Sequence, residues 1–284
     1  MKKFEIRRYE RQIVFLVLVI AVALPIVFPL GLKTVQTPLT KKIYDMVENT
    51  PAGSPVIISF DYDPSTVTEL QPMAEAILEH AWKKNHRVIT TAMWPQGSQM
   101  AEMAFRNVQE KTKTPKVNGV DYVNLGYKVG GLVAIQAMGR NLKTAYPKDS
   151  SGTDYDKIPL LAKIRTLRDV KYVISLSAGD PGLRDWIITA HDKFKVPVAG
   201  GTTAVSAPGF YPYVNDQQQL TGLMGGLKAA AEYELLMGYY GPASANMNPQ
   251  SVAHILILVL IAIGNVKAWK KRKTDRAALE ANNA

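Results

Sequence analysis

Residues 56–66, VIISFDYDPST, pass from an unbroken apolar run into two aspartates and then Pro-Ser-Thr. With Pro55 in front, the first half is a β-branched run with no polar alternation. A strand covered on both faces looks like this, whereas a strand with one wet face alternates. The second half has the chemistry of a turn and a helix start. On either side, short apolar runs alternate with longer helical patterns. The spacing predicts a helix over 66–84, with Thr66 and Glu69 in capping-box register and Met73, Ile77 and Ala81 facing inward. Four more strands are expected at 87–93, 121–126, 170–178 and 196–201, with helices over 98–111, 131–143, 159–166, 181–194 and 215–238. A short amphipathic helix over 38–49 precedes them all. Strands that alternate with helices predict a doubly wound α/β domain, a mostly parallel five-stranded sheet with helices on both faces. Ligand sites in such sheets lie beyond the C-terminal ends of the strands.

That edge collects Asp61, Asp63, Trp94, Tyr127, Gly130, Ser177, Asp180 and Thr202, and then Phe210, Tyr211 and Tyr213. The three aromatics belong to GGTTAVSAPGFYPYV (200–214). That segment is too long for a plain strand-to-helix connection of about two to six residues. It is either a contact surface for a ligand or partner, or a loop that folds its rings over the sheet edge. GYKVGG (126–131) runs from a strand into a helix. Such a loop either cradles phosphate on helix N–H groups or serves a tight turn. It has neither the spacing of the dinucleotide fingerprint nor that of the Walker loop.

The pattern of four apolar residues and D-x-D that ends in Asp61 and Asp63 resembles the first motif of the haloacid dehalogenase phosphatases. AGDPGLRD (178–185) is similar to that family's later GDxxxxD motif. The resemblance covers about fifteen residues. It implies Asp61 as nucleophile on phosphorus, Asp63 as acid and base, and Mg²⁺ shared with Asp180 or Asp185. Pro64 and Ser65 depart from the family's small residue and threonine, and no flap fits between Asp63 and the next helix. The other reading of Asp61 to Thr66 is a turn that starts a helix. The histidines at 80, 86, 191 and 254 show no metal-ligand spacing, and no nucleophile elbow occurs. Apart from the Mg²⁺ that the resemblance implies, no cofactor is expected.

The net charge of +10 is concentrated at the ends, in MKKFEIRRYER (1–11) and KAWKKRKTDR (267–276), which leaves the middle close to neutral. A nucleic-acid partner is therefore not expected, since a basic face should lie on the folded domain. Each basic cluster borders an apolar run. Residues 13–32 carry no charge over about 30 Å of helix, the depth of a bilayer's hydrocarbon core. Residues 249–269 form a second run, with Asn248 and Pro249 suited to start its helix and Trp269 placed at an interface. The alternatives are a cleaved signal peptide ending near AVA (21–23) for the first run and a buried core helix for the second. Basic flanks stay cytoplasmic, and residues 229–250 hold no lysine or arginine. The expectation is thus a basic tail (1–12), a span (13–32), an extracytoplasmic domain (33–248), a span (249–269) and a second basic tail (270–284). The chain has no cysteine, so its exported domain would stand on its core alone.

The lipid bilayer and other membrane-protein subunits, or further copies of this chain, are the expected partners. Gly222, Gly226 and Ala230 form a small-residue stripe at four-residue spacing. It suits either packing on the chain's own sheet or a seam between subunits. His254 and Asn265 inside the second run suggest a side that faces protein. The sequence predicts a non-enzymatic binding or structural subunit of a membrane assembly, with a phosphohydrolase or a small-solute receptor as alternatives.

Overall fold

The computed structural model describes residues 2–28 and 35–282. The chain divides into two compact units, Thr34–Ser244 and the pair of ends Met1–Lys33 and Ala245–Ala284.

The central unit is α/β with one parallel sheet. In chain order it runs α2 (Pro38–Glu48), β1 (Pro55–Asp61), α3 (Val67–Lys83), β2 (Arg87–Ala92), α4 (Gly97–Thr112) and β3 (Tyr122–Tyr127). It continues with α5 (Leu132–Arg140), α6 (Leu142–Ala145), β4 (Val173–Ser177), α7 (Leu183–Trp186), β5 (Val198–Thr202), β6 (Leu223–Gly225) and α8 (Gly226–Leu236). The strand order is β3-β2-β1-β4-β5-β6, and every pairing is parallel. From β1 the chain winds outward to β3, returns to the middle and winds the other way to β6. The direction reverses between β1 and β4, which makes their C-terminal ends the topological switch point.

Strand parity separates the two faces. Ile57, Ile89, Val123, Val173 and Val198 share one apolar cluster with Ile135, Met138, Leu183 and Trp186, from the α5 and α7 side. At the intervening register a Cβ on Gly201 would meet Leu176 and Met73, from the α3 side. There α3 packs against both α4 and α8, and α2 packs on α8. Each large apolar side chain buried this way contributes about 1.5–3 kcal/mol. Gly97 opens α4 where the helix passes β1: a Cβ there would sit 1.9 Å from the Phe60 carbonyl oxygen.

The structure corrects several expected elements. The sheet has six strands, not five, because Leu223–Gly225 forms a strand inside the helix expected over 215–238. Glycines at 222, 225 and 226 interrupt the helix there, and Gly226 has φ +66°, outside the helical region. Residues 159–166 make a 3₁₀ turn over Pro159–Leu161 rather than a helix. The helix expected over 181–194 is α7 followed by one π-helical turn, Ile187–His191. Thr66 makes no capping bond; Asp63 takes that role by accepting from Ser65 N–H at 2.9 Å. Glu69 reaches instead to Ala204 N–H at 2.8 Å and ties α3 to the segment after β5.

Both ends of the central unit are bound to α8. Glu232, buried, accepts from Thr37 N–H and Thr37 O–H at 3.0 and 2.6 Å and pairs with Lys228. Burial works to raise its pKa, but the bonds from Lys228 and Thr37 outweigh it and leave the carboxyl below its ordinary value. Glu234, also buried, accepts from Ala243 N–H at 2.9 Å and from Ser244 N–H and O–H at 2.8 Å. The last helix, α9 (Pro242–Asn282), therefore starts seven residues before the expected Pro249, with Pro242 at its first position and Glu234 as a borrowed cap. The incoming chain meets the unit beside β6, where Thr37 and Leu39 border Gly225 and Tyr211, and α2 then leads it to β1.

Within the paired ends, α9 holds a candidate span, Pro242–Lys273, of 32 residues, whose most apolar 18-residue window has a mean hydropathy of 2.0 and is not buried. By length and composition it is able to cross a membrane. The N-terminal helix α1 (Lys2–Val27) is apolar over Arg11–Val27, a shorter stretch, and residues 29–32 of the expected first span lie outside the described residues.

Candidate functional site

Asp61 ends β1 with its side chain turned into the protein, 0% exposed. One carboxylate oxygen accepts from Ser59 O–H at 2.6 Å and Met93 N–H at 2.8 Å. The other accepts from Ser175 O–H at 2.8 Å and Trp186 Nε1–H at 3.1 Å. Parity explains the gathering, because Ser59 and Asp61 on β1 and Ser175 on β4 point to one face, and α7 lays Trp186 over them. Thr91, level with Ser59 on β2, bonds to Tyr146 on the same face. None of the four donors is charged. Burial is the largest influence and pushes the carboxyl up to about 6, against the four hydrogen bonds that favour its ionised form.

The residues implied by the phosphatase resemblance are not brought together as a metal site. Asp63 caps its own turn, and the Ser65 bonds hold its carboxyl below the ordinary range. Asp180 is exposed, and Asp185 is half-buried, raised first by burial and then by the nearby Asp180. No group of three histidine, cysteine, aspartate or glutamate side chains able to hold a metal occurs among the described residues. Mg²⁺ needs a carboxylate oxygen with an open lone pair, and both Asp61 oxygens are already taken by two donors each.

Above this buried network the ends of β2, β3 and β4 enclose an open cleft of about 480 Å³. Trp94, Tyr127, Val129, Gly130 and Pro181 form most of its wall, with Met93 below, and no lining side chain is charged. Trp94 Nε1–H donates to the Pro181 carbonyl at 2.8 Å. Gly131, at φ +48°, presses against Pro181, where a Cβ would come within 2.8 Å of that ring. Gly131 thus serves close packing of one loop on another, while Gly126 and Gly130, at φ +86° and +117°, serve the turn. The cleft floor is bonded to Asp61 through Met93 N–H.

Of the sequence-derived contact residues, Trp94, Tyr127 and Gly130 meet in this cleft. Ser177 is buried and donates to Gly179 O at 2.7 Å. Thr202 is buried, and its hydroxyl has no partner among the described residues. Phe210 and Tyr213 fold onto the apolar cluster, while Tyr211 stays 54% exposed and lines a separate cleft of about 180 Å³. A single closed pocket of Trp94, Tyr127 and Tyr211 does not form. The small-residue stripe faces inward: Gly222 against Ile43 and Leu39, Gly226 against Ala204, and Ala230 buried in α8. His254 and Asn265 are exposed on α9. Ser59, Ser175 and Trp186 escaped the sequence reading, although polar residues at every second position of apolar strands (Ser59 and Asp61, Ser175 and Ser177) mark such a network.

Fold and site together define a doubly wound α/β domain with an apolar cleft at its switch-point edge. No protein-family model matches the sequence, and neither does any curated protein. Among solved structures, the crystal structure of AibC is similar over 80% of this chain and 54% of its own length, so the chain spans about half of that protein. The identity is 11% and the TM-score 0.29, a likeness that carries no argument about function.

Proposed function

We propose that this chain is a non-enzymatic binding or structural subunit of a membrane assembly, held by its apolar helices and contacting a partner protein through the cleft edge. In this reading both basic ends lie in the cytoplasm, both apolar runs span the bilayer, and the α/β domain stands outside. The observation that carries it is the character of the switch-point edge. Its cleft is lined by rings, apolar side chains and backbone with no charged group, Val129 in its wall is 74% exposed, and the acid beneath is sealed. Aromatic and aliphatic groups around an uncharged centre suit a protein partner better than a polar solute. His254 and Asn265 within α9 would face other subunits rather than lipid.

The test is photo-crosslinking of the full chain in its native membrane. A crosslinker at Val129 is expected to capture a discrete partner or second copy, whereas one at exposed Lys163 is not. Val129→Asp should weaken co-purification of that partner by about tenfold or more, the scale of one buried contact. Capture at both positions alike, or at neither, removes the support for a contact edge. Phosphatase activity that disappears in Asp61→Asn would replace this reading with an enzymatic one.

A further inference from the structure

A third cleft, of about 290 Å³, lies between the last turns of α3 and α4. Trp82 and Lys83 line it from α3, Lys111 from α4 and Lys116 from the segment that follows, with Glu79 among them. Cations suit the C-terminal ends of helices, but the lysines exceed their partners. Glu79 takes both Lys83 and Lys111, each at 2.7 Å, and Lys116 reaches only the Trp82 carbonyl at 3.5 Å. Three ammonium groups share one carboxylate, which leaves two positive charges unmatched among the lining groups. Trp82 Nε1–H, inside the protein, has no acceptor among the described residues. The Tyr239 ring, 3.7 Å from Lys111 Nζ, holds that lysine in place.

A surplus of cations calls for an oxygen-rich anion. We propose that this cleft binds a phosphate group, whose two negative charges equal the surplus. The phosphate would come from a soluble anion or from a lipid headgroup.

The experiment uses the full chain in detergent, labelled with ¹⁵N at its four tryptophans, with Trp82→Phe to assign the Trp82 indole resonance. Inorganic phosphate, a short-chain phosphatidylglycerol and a short-chain phosphatidylcholine are titrated separately at constant ionic strength. A saturable shift of the Trp82 resonance is expected with phosphate or with the anionic lipid, and combining Lys111→Gln with Lys116→Gln should weaken it by about tenfold or more. A shift with inorganic phosphate upholds a soluble source, and a shift with phosphatidylglycerol alone upholds a headgroup. No shift with any of the three overturns the proposal. So does a shift unchanged in the doubly substituted protein while the other indole resonances stay in place.

Discussion

Asp61 is a carboxylate with four neutral donors and no cation beside it. Each of its oxygens takes one hydroxyl and one N–H, from Ser59 and Met93 on one side and Ser175 and Trp186 on the other. Whichever way an amide is placed there, its NH₂ faces an N–H, so Asp61→Asn always strands one donor. That costs about 1–3 kcal/mol. The pH dependence runs the other way. The fold holds this proton up to about pH 6, whereas the unfolded chain releases it near 3.8. The residue's contribution to stability therefore falls as pH rises from about 4 to about 6, and is level above that. The size is on the order of 3 kcal/mol at about 1.4 kcal/mol per pH unit. Glu79 and Glu232, whose ion pairs hold them low, act with the opposite sign, so only the difference between the two proteins isolates Asp61. Asp61→Asn should be less stable than the parent at pH 4, and the gap should close or reverse at pH 7. Denaturant midpoints at the two pH values check this; a gap independent of pH would show that the carboxyl titrates normally. The sequence marked Asp61 but not its direction. Ser59, two residues earlier, shares its face, but a strand buried on both sides does not say which helix layer that face meets, and Ser175 and Trp186 lie 114 and 125 residues away.

At the scale of elements, β6 shows why pattern reading stopped at five strands. Leu223–Gly225 is three residues long, less than two periods of strand alternation, and the glycines that flank it, Gly222 and Gly226, carry the four-residue spacing of a helix stripe. The register with Gly200–Thr202 makes it a strand, and that is a tertiary fact. The first five strands were legible because each is an apolar run between turn signals. The helix α8 that follows carries the two acids that tie down the unit's ends. Glu234 has the sharper role, because it replaces the missing N-cap of α9 for two N–H groups. Glu234→Ala should destabilise the central unit by about 1–3 kcal/mol. Glu234→Gln, which keeps an acceptor, should cost less. Hydrogen exchange at Ala243 and Ser244 should quicken in the alanine variant while the amides of β1 and β4 keep their protection. Equal quickening in all of them would show a global effect instead of a lost cap.

At the scale of the whole molecule, the two units raise a question of independence. The core of Thr34–Ser244 draws on both sheet faces and includes Trp186, Tyr62, Tyr172 and Phe60, each fully buried. The bonds that fix its ends, Glu232 to Thr37 and Glu234 to Ala243 and Ser244, all lie inside it. A chain of residues 35–244 therefore keeps its whole sheet, its cleft and both clamps, and loses only the segments rich in exposed apolar side chains. It is expected to fold without detergent and to unfold in one cooperative step, as single compact domains do. Its partition should also change. The full chain, with the apolar window of α9, should stay in the membrane fraction after alkaline carbonate extraction, and residues 35–244 should not. Gel filtration, thermal circular dichroism and fractionation read these outcomes separately. A broad transition or aggregation of residues 35–244 would show that the apolar helices supply part of the domain's core. Release of the full chain by carbonate would show that α9, although long and apolar enough, does not cross a bilayer.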